Sequence, residues 1–192
     1  RNDWGSLMRT LGWRVWLVGL AAVGVGCRAR TAENSVTFPG ESEMTVLSAI
    51  STTVEDRRDA AAFLLLSDAP NLCKSLESGK QPKGKRMLGL QLAILDGPRT
   101  QSPAQPAAFT ITEREEEWHR ESAGLFVRDE ARCRLSSVEG RGVVTITDVQ
   151  RGGFSGSGNV TSTAGQFSFT FTTVPCLALA EYVMSGGAFP CE

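Results

Sequence analysis

Histidine is almost absent from this chain: His119 is the single histidine among 192 residues. This scarcity excludes metal sites and reaction centres built from several histidines. An excess of basic residues is also lacking, because 20 basic residues face 21 acidic ones and the net charge is −1. Nucleic-acid binding depends on a clear basic excess, so the composition argues against a nucleic-acid partner.

Long hydrophobic runs are missing as well. The apolar stretch over residues 15–26 has twelve residues and no charge, and as a helix it would span about 18 Å against the roughly 30 Å of a hydrocarbon core. Arg9 and Arg14 precede this run and Cys27 follows it. Basic residues, then a short apolar stretch, then small residues are typical of a secretory signal peptide. We therefore predict a removed leader over residues 1–26, and Met8 would begin a leader of typical length.

The leader ends in Gly24-Val25-Gly26-Cys27, which resembles the lipobox of bacterial lipoproteins, although Leu is usual where Gly24 stands. The resemblance implies that Cys27 receives a diacylglycerol and that cleavage occurs before it. Two or three acyl chains then anchor a protein to a membrane without a spanning helix. Arg28 is not the Asp of inner-membrane retention, so we expect the outer membrane, facing the periplasm or the surface. The alternative is an ordinary secreted protein with a free cysteine.

Removing the leader's three arginines and one aspartate leaves 17 basic and 20 acidic residues. Residues 27–35 are predicted to form a polar tether.

Four cysteines remain after Cys27, an even number that predicts two disulfides in an exported chain. Three pairings are open; we expect Cys73–Cys133 with Cys176–Cys191, the latter closing a loop of about 16 residues worth about 3 kcal/mol. No CxxC spacing is present, which argues against zinc.

Residues 36–192 are predicted to form one β domain, because alternation of apolar and polar residues recurs along them. Its clearest part is a meander over residues 143–149, 154–160 and 167–172, in which Phe167, Phe169 and Phe171 face the core. Strands are also predicted over residues 61–67, 87–95, 109–112 and 124–131, a helix over 71–78, and loops over 96–107 and 113–121. The expected fold is all-β: a single antiparallel β-sandwich or β-barrel of about eight strands with one short helix.

The stretch from Gly140 to Cys176, with its glycine turns, looks like the C-terminal meander of uncharacterised predicted lipoproteins common in gliding soil bacteria. The Cys27 region, the residues around Pro39, the Cys73 segment and the terminal Cys191 are similar too. The resemblance covers most of residues 27–192. It implies an envelope location and a β fold, and it supplies no catalytic residues.

Motifs that suggest chemistry are incomplete. Residues 79–86 approach a phosphate-binding loop, but Arg86 stands where Ser or Thr must bind magnesium, and the expected order of elements is reversed. We interpret this segment as a basic turn, or as a contact for anionic headgroups. Ser155 and Ser157 lie in a near match to a nucleophile elbow, for which His119 is the sole possible histidine base. The acidic residues 113–121 lack the Asp, Asn and Gly of calcium loops.

The sequence therefore predicts a lipid-anchored envelope protein that acts by binding or structure, with no enzyme activity, cofactor or metal. Its partners are expected to be the membrane, through Cys27, and an unknown envelope protein or apolar ligand. One alternative is a small β-barrel that carries an apolar ligand in a cavity above about 300 Å³. A second is a secreted hydrolase that uses Ser155 or Ser157 with His119.

Overall fold

Strands dominate the chain, as the alternation predicts. The computed structural model describes residues 34–56, 59–96, 99–112, 120–129, 133–187 and 189–192. The strands are β1 Ser35–Thr37, β2 Met44–Thr45, β3 Ser48–Asp56, β4 Asp59–Ser67, β5 Met87–Asp96, β6 Arg99–Gln101, β7 Ala107–Ile111, β8 Glu121–Asp129, β9 Arg134–Val138, β10 Gly140–Gln150, β11 Gly153–Ser162, β12 Gly165–Thr172 and β13 Val174–Pro175, with helices α1 Leu72–Glu77 and α2 Ala178–Met184.

All strands of the described residues join one curled, mixed sheet that forms a half-barrel. Its order is β13-β3-β4-β5-β8-β7-β10-β11-β12-β1-β2, and β6 and β9 pair with β5 and β8 off this path. The expectation of eight antiparallel strands and one helix is wrong in detail. There are thirteen described strands, the pairs β3–β13 and β7–β8 are parallel, and a second helix is present.

The two ends of this path lie close together, which makes the sheet curl. Only Val46 and Leu47 separate β2 from β3, although these strands stand near opposite ends of the strand order. The Thr173 hydroxyl donates to Ser51 Oγ at 2.9 Å, and the Ser51 hydroxyl donates to the Gly152 carbonyl at 2.9 Å. These contacts join β3 to the turn between β10 and β11 and to the end of β12.

The predicted meander is confirmed as β10–β11–β12, and its phenylalanines face the core that the curled sheet encloses. In the β11–β12 ladder, Gly156 pairs with Phe171 and Gly158 pairs with Phe169. A Cβ placed at Gly158 would overlap the Phe169 ring. The glycines of β11 therefore leave room for aromatic rings of β12 to lie across the sheet.

The outer face of β3, β4 and β5 is covered by the two helices. Leu72 and Leu76 of α1 and Tyr182 of α2 are buried in a second apolar cluster, together with Leu65 of β4. Because the neighbouring Leu64 and Leu66 face the inner core, β4 is apolar on both faces. This two-sided burial explains the continuous run of leucines, which would be unusual in a strand with one solvated face.

The disulfides differ from the expected pairing. Cys73 on α1 bonds to Cys176, which precedes α2, and their Cα atoms are 5.8 Å apart. Cys133 bonds to Cys191, with Cα atoms 6.1 Å apart. The expected pairs Cys73–Cys133 and Cys176–Cys191 are wrong because α1 and α2 pack together on one face of the sheet, so the first bridge lies between the helices.

Two local predictions have clear outcomes. The helix predicted over residues 71–78 is confirmed as α1, and Gly79 follows it with a φ of 70°, a left-handed conformation that suits glycine. The loop predicted over residues 96–107 is wrong in part, since β6 lies within it and pairs with β5. Such a three-residue strand is too short to show a period.

Candidate functional site

A pocket of about 450 Å³ lies where β8 changes its neighbour. β8 pairs with β7 through Ser122 and with β9 from Leu125 onward. Among the described residues, Ala123 and Gly124 have no strand partner on that side, while β5 pairs with the opposite edge throughout. The sheet therefore has a gap between β7 and β9, and the pocket opens at this gap.

The lining of the pocket is mixed in chemistry. Apolar side chains come from several strands, among them Leu95, Ile111 and Phe126. Polar side chains also line it: Gln91, Thr100, Thr112, Ser122, Ser137 and Glu139. Apolar walls with a few polar groups are characteristic of small-molecule sites. Hydroxyl, amide and carboxylate groups suit hydrogen bonding to a neutral or hydroxylated ligand.

Phe126 lies on the outer face of β8, over two glycines. A Cβ built on Gly124 would lie 3.3 Å from Phe126 Cε2, and one built on Gly89 would lie 3.3 Å from Phe126 Cβ. The glycines of β5 and β8 thus let the aromatic ring lie close to the sheet. Because the ring is half-buried, part of it remains available at the wall of the pocket.

A second polar centre lies on the outer face of the sheet, around the side-chain amide of Gln81. Its Nε2 donates to the carbonyls of Phe189 at 2.6 Å and Cys133 at 2.8 Å, with Gly187 at 3.3 Å. Its Oε1 accepts a hydrogen bond of 3.0 Å from the Tyr182 hydroxyl. The buried amide therefore joins α2, the C-terminal tail and the start of β9.

Arg128 of β8 lies beside this amide and is 6% exposed. Its Nη1 donates to the carbonyls of Pro82 at 2.6 Å and Lys85 at 2.8 Å. Its Nη2 lies 2.7 Å from Cys191 Sγ and 3.4 Å from Cys133 Sγ. Its Nε has no hydrogen-bond partner in the described part of the chain. A buried guanidinium therefore contacts the second disulfide.

The electrostatics of Tyr182 reflect both its burial and this arginine. Burial raises the pKa of the Tyr182 phenol to about 12, and the charge of Arg128 partly opposes the rise. Desolvation disfavours the phenolate, whereas a nearby cation favours it. Tyr182 therefore stays neutral at physiological pH and acts as a hydrogen-bond donor to Gln81.

Only some of the residues predicted to carry function lie in the described ranges. Cys27 and His119 lie outside the described residues, so lipidation at Cys27 and pairing of His119 with a serine stay predictions. Ser155 and Ser157 lie on β11. The Ser155 hydroxyl shares a hydrogen bond of 3.1 Å with Thr172 Oγ1.

The predicted strand around residues 124–131 is confirmed as β8, over slightly different bounds.

The predicted basic turn, residues 79–86, packs against the C-terminal tail. The backbone N–H of Gln81 donates to the Pro190 carbonyl at 2.8 Å, and the backbone N–H of Lys83 donates to the Glu192 carbonyl at 2.7 Å. Lys80 forms an ion pair with Glu192 at 2.5 Å. The segment therefore orders the chain terminus, a role that its resemblance to a phosphate loop did not suggest.

In the described ranges, no group of three or more His, Cys, Asp or Glu side chains is placed to hold a metal ion. No helix in this part of the chain has the length and apolar character needed to cross a bilayer.

Sequence reasoning missed Arg128, Gln81 and Tyr182. One signal was available for Arg128, because it shares a strand face with Gly124 and Phe126, and charge at such a position indicates a buried contact. Gln81 carried no such signal, since its partners come from positions about 50 and 100 residues away.

Comparison with known proteins finds no family model that matches the chain, no similar curated protein and no similar solved structure.

Proposed function

We propose that this protein is a lipid-anchored lipoprotein of the bacterial cell envelope whose β domain is a binding module without catalysis. The observation that carries the proposal is the pairing of Cys73, Cys133, Cys176 and Cys191 into two disulfides. Disulfides persist in oxidising compartments, which a chain reaches by export. The lipobox-like end of the leader at Cys27 supplies the anchor in this proposal.

Metabolic labelling with an alkyne analogue of palmitate tests the anchor. We expect label on the full chain expressed in a bacterial host and none on Cys27→Ala. Cys73→Ala is a matched control, because it removes a cysteine of the β domain and should keep the label. An unlabelled wild-type chain that is exported with both disulfides intact would contradict the anchor.

The gap between β7 and β9 is the proposed binding site. Its volume of about 450 Å³ lies within the usual range for small ligands. The interior of the curled sheet is filled by side chains of the inner cluster, such as Phe109, Phe169 and Leu90. The gap is thus the better position for a carried ligand, and its mixed lining favours a molecule with both apolar and hydroxylated parts.

Substitution at Ala93 tests this site. Ala93 lines the pocket, so Ala93→Phe should fill it, whereas Ala108→Phe places the same ring on an exposed position of β7. We propose calorimetric titration with octyl glucoside below its micelle concentration, using protein in nanodiscs and empty nanodiscs as the blank. We expect at least tenfold weaker binding by Ala93→Phe and unchanged binding by Ala108→Phe. Equal binding by both variants, or no saturable binding, would contradict the site.

A further inference from the structure

The two disulfides lie in opposite electrostatic surroundings. Arg128 Nη2 lies 2.7 Å from Cys191 Sγ and 3.4 Å from Cys133 Sγ. In contrast, Cys73 Sγ lies 3.8 Å from the Glu77 carboxylate. A cation stabilises a thiolate and a carboxylate destabilises it. Reduction of each bridge generates thiolates, so the two bridges should differ in how readily they are reduced.

Arg128 has unusual partners for a buried cation. A guanidinium stays charged in proteins, and burying a charge is costly unless it is paired. None of the ion pairs among the described side chains includes Arg128, and its Nε has no hydrogen-bond partner there. Disulfide sulfur is a weak acceptor. A thiolate at Cys191 would give the guanidinium an anionic partner, which the described side chains do not supply in the oxidised state.

Access also separates the bridges. Cys133 and Cys191 are both half-buried, and so is Cys73 of the other bridge. Cys176 is 2% exposed and packs in the apolar cluster beneath the helices. An attacking thiolate must reach a sulfur atom, and a disulfide sulfur leaves faster when its thiol has a low pKa. The leaving-group effect favours reduction of Cys133–Cys191, and in that bridge both sulfurs, instead of one, belong to half-buried residues.

We propose that Cys133–Cys191 is a thiol–disulfide exchange site for a dithiol reductant, in which Arg128 stabilises the Cys191 thiolate. One thiolate of the dithiol attacks Cys133 Sγ, the bond between Cys133 and Cys191 breaks, and its electron pair stays on Cys191. The second thiol of the dithiol, after losing its proton to solvent, attacks the reductant sulfur of the mixed disulfide; the bond from that sulfur to Cys133 Sγ breaks, and Cys133 leaves as a thiolate that takes up a proton from solvent. The dithiol leaves oxidised by two electrons, and the protein retains a Cys133 thiol and the Cys191 thiolate.

This proposal concerns the β domain and does not depend on the lipid anchor. Among the described residues, charged and titratable groups near the bridge come from three elements. Arg128 comes from β8. Tyr182 comes from α2, and the charge of Arg128 acts to lower the pKa of its phenol. The exposed ion pair Lys80–Glu192 joins the loop before β5 to the C-terminal tail. Within the described ranges, Arg128 is the charged group with a direct contact to the sulfurs.

Graded reduction of the purified full chain tests the difference between the bridges. The protein is incubated with increasing dithiothreitol, trapped with N-ethylmaleimide, and each cysteine is quantified by peptide mass spectrometry. We expect the Cys133–Cys191 bridge to be reduced at a ratio of reduced to oxidised dithiothreitol at least tenfold lower than the Cys73–Cys176 bridge. This difference corresponds to about 30 mV for the two-electron couple. Equal reduction of both bridges, or earlier reduction of Cys73–Cys176, overturns the proposal.

Substitution of Arg128 tests whether its positive charge, and not the accessibility of the sulfurs, makes the Cys133–Cys191 bridge easy to reduce. Arg128→Lys should keep most of the ease of reduction, and Arg128→Gln should lower it at least tenfold. Arg86→Gln is the control, since Arg86 pairs with Glu41 and does not contact either bridge. Unchanged reduction in Arg128→Gln overturns the role of Arg128.

A measurement on single thiols keeps the proposal testable if Arg128 variants do not fold. In Cys133→Ala, the rate of iodoacetamide reaction with Cys191 is followed against pH. We expect a midpoint at least one unit below the roughly 8.5 of an ordinary thiol, and no such lowering for Cys73 in Cys176→Ala. A Cys191 midpoint at or above the ordinary value overturns the proposal.

Discussion

The Tyr182 hydroxyl donates a 3.0 Å hydrogen bond to the side-chain oxygen of Gln81, across 101 positions of sequence. Both side chains are almost fully buried. The nitrogen of the same amide donates to the carbonyls of Cys133 and Phe189. Through this one side chain, α2, the C-terminal tail and the start of β9 are held against the loop that precedes β5.

Replacing Gln81 should destabilise the fold strongly. Gln81→Leu keeps much of the side-chain volume but leaves the Tyr182 hydroxyl and three carbonyls without this partner. Each buried polar group left unsatisfied costs about 1–3 kcal/mol, so we expect a loss of about 2–4 kcal/mol in the free energy of unfolding, measured with urea. Gln101→Leu is the control, because Gln101 bonds to Asp96 at the surface. A loss below about 1 kcal/mol in Gln81→Leu would contradict this account.

Tyr182 should titrate well above an ordinary phenol. It is the sole tyrosine of the chain, so the absorbance of phenolate near 295 nm reports on it alone. Burial raises its pKa to about 12, and we expect that midpoint in the folded protein. In guanidinium chloride the midpoint should fall to about 10. A folded-state midpoint near 10 would show that the phenol is not desolvated.

The raised pKa of Tyr182 also predicts a dependence of stability on pH. The folded state binds the phenolic proton more tightly than the unfolded state, so this contribution is complete below pH 10. It is lost as the pH rises from about 10 to about 12, and its size is about 3 kcal/mol for a shift of two units. Unfolding of the wild type in urea should therefore show this loss, whereas Tyr182→Phe should lack it.

The local parts of this fold could be predicted, because they depend on short-range pattern. The alternation around Phe167, Phe169 and Phe171 placed the meander and its inner face correctly, since a period of two fixes which side chains share a face. The mixed sheet could not be predicted in the same way. β13 is two residues long and pairs in parallel with β3, a neighbour that only the curl of the whole sheet provides.

The disulfide pairing shows the same limit. Cysteine parity predicted two bridges, but connectivity depends on which elements meet in space. Cys176 meets Cys73 because α1 and α2 pack on the same outer face. No pattern around Cys176 indicates this pairing.

The pairing can be checked by peptide mapping of the oxidised protein without reduction. We expect fragments that join Cys73 to Cys176 and Cys133 to Cys191. By chain entropy, closing loops of 103 and 58 residues contributes about 4–5 kcal/mol each. Double serine variants of either pair should each lose stability of about this size. Fragments that join Cys73 to Cys133 would contradict the packing of the two helices.

Gly158 tests the packing of aromatic rings across the meander. Phe169 lies over this glycine from the neighbouring strand, and a Cβ there would overlap its ring. Gly158→Val should force Phe169 out of its position in the core. Overpacking of this kind costs about 1–3 kcal/mol, which urea unfolding can measure. Ser157→Val provides the matched control, because Ser157 is the preceding residue of β11 and is exposed; its stability should stay within about 0.5 kcal/mol of the wild type. Equal stability of the two variants would show that Phe169 does not pack over Gly158.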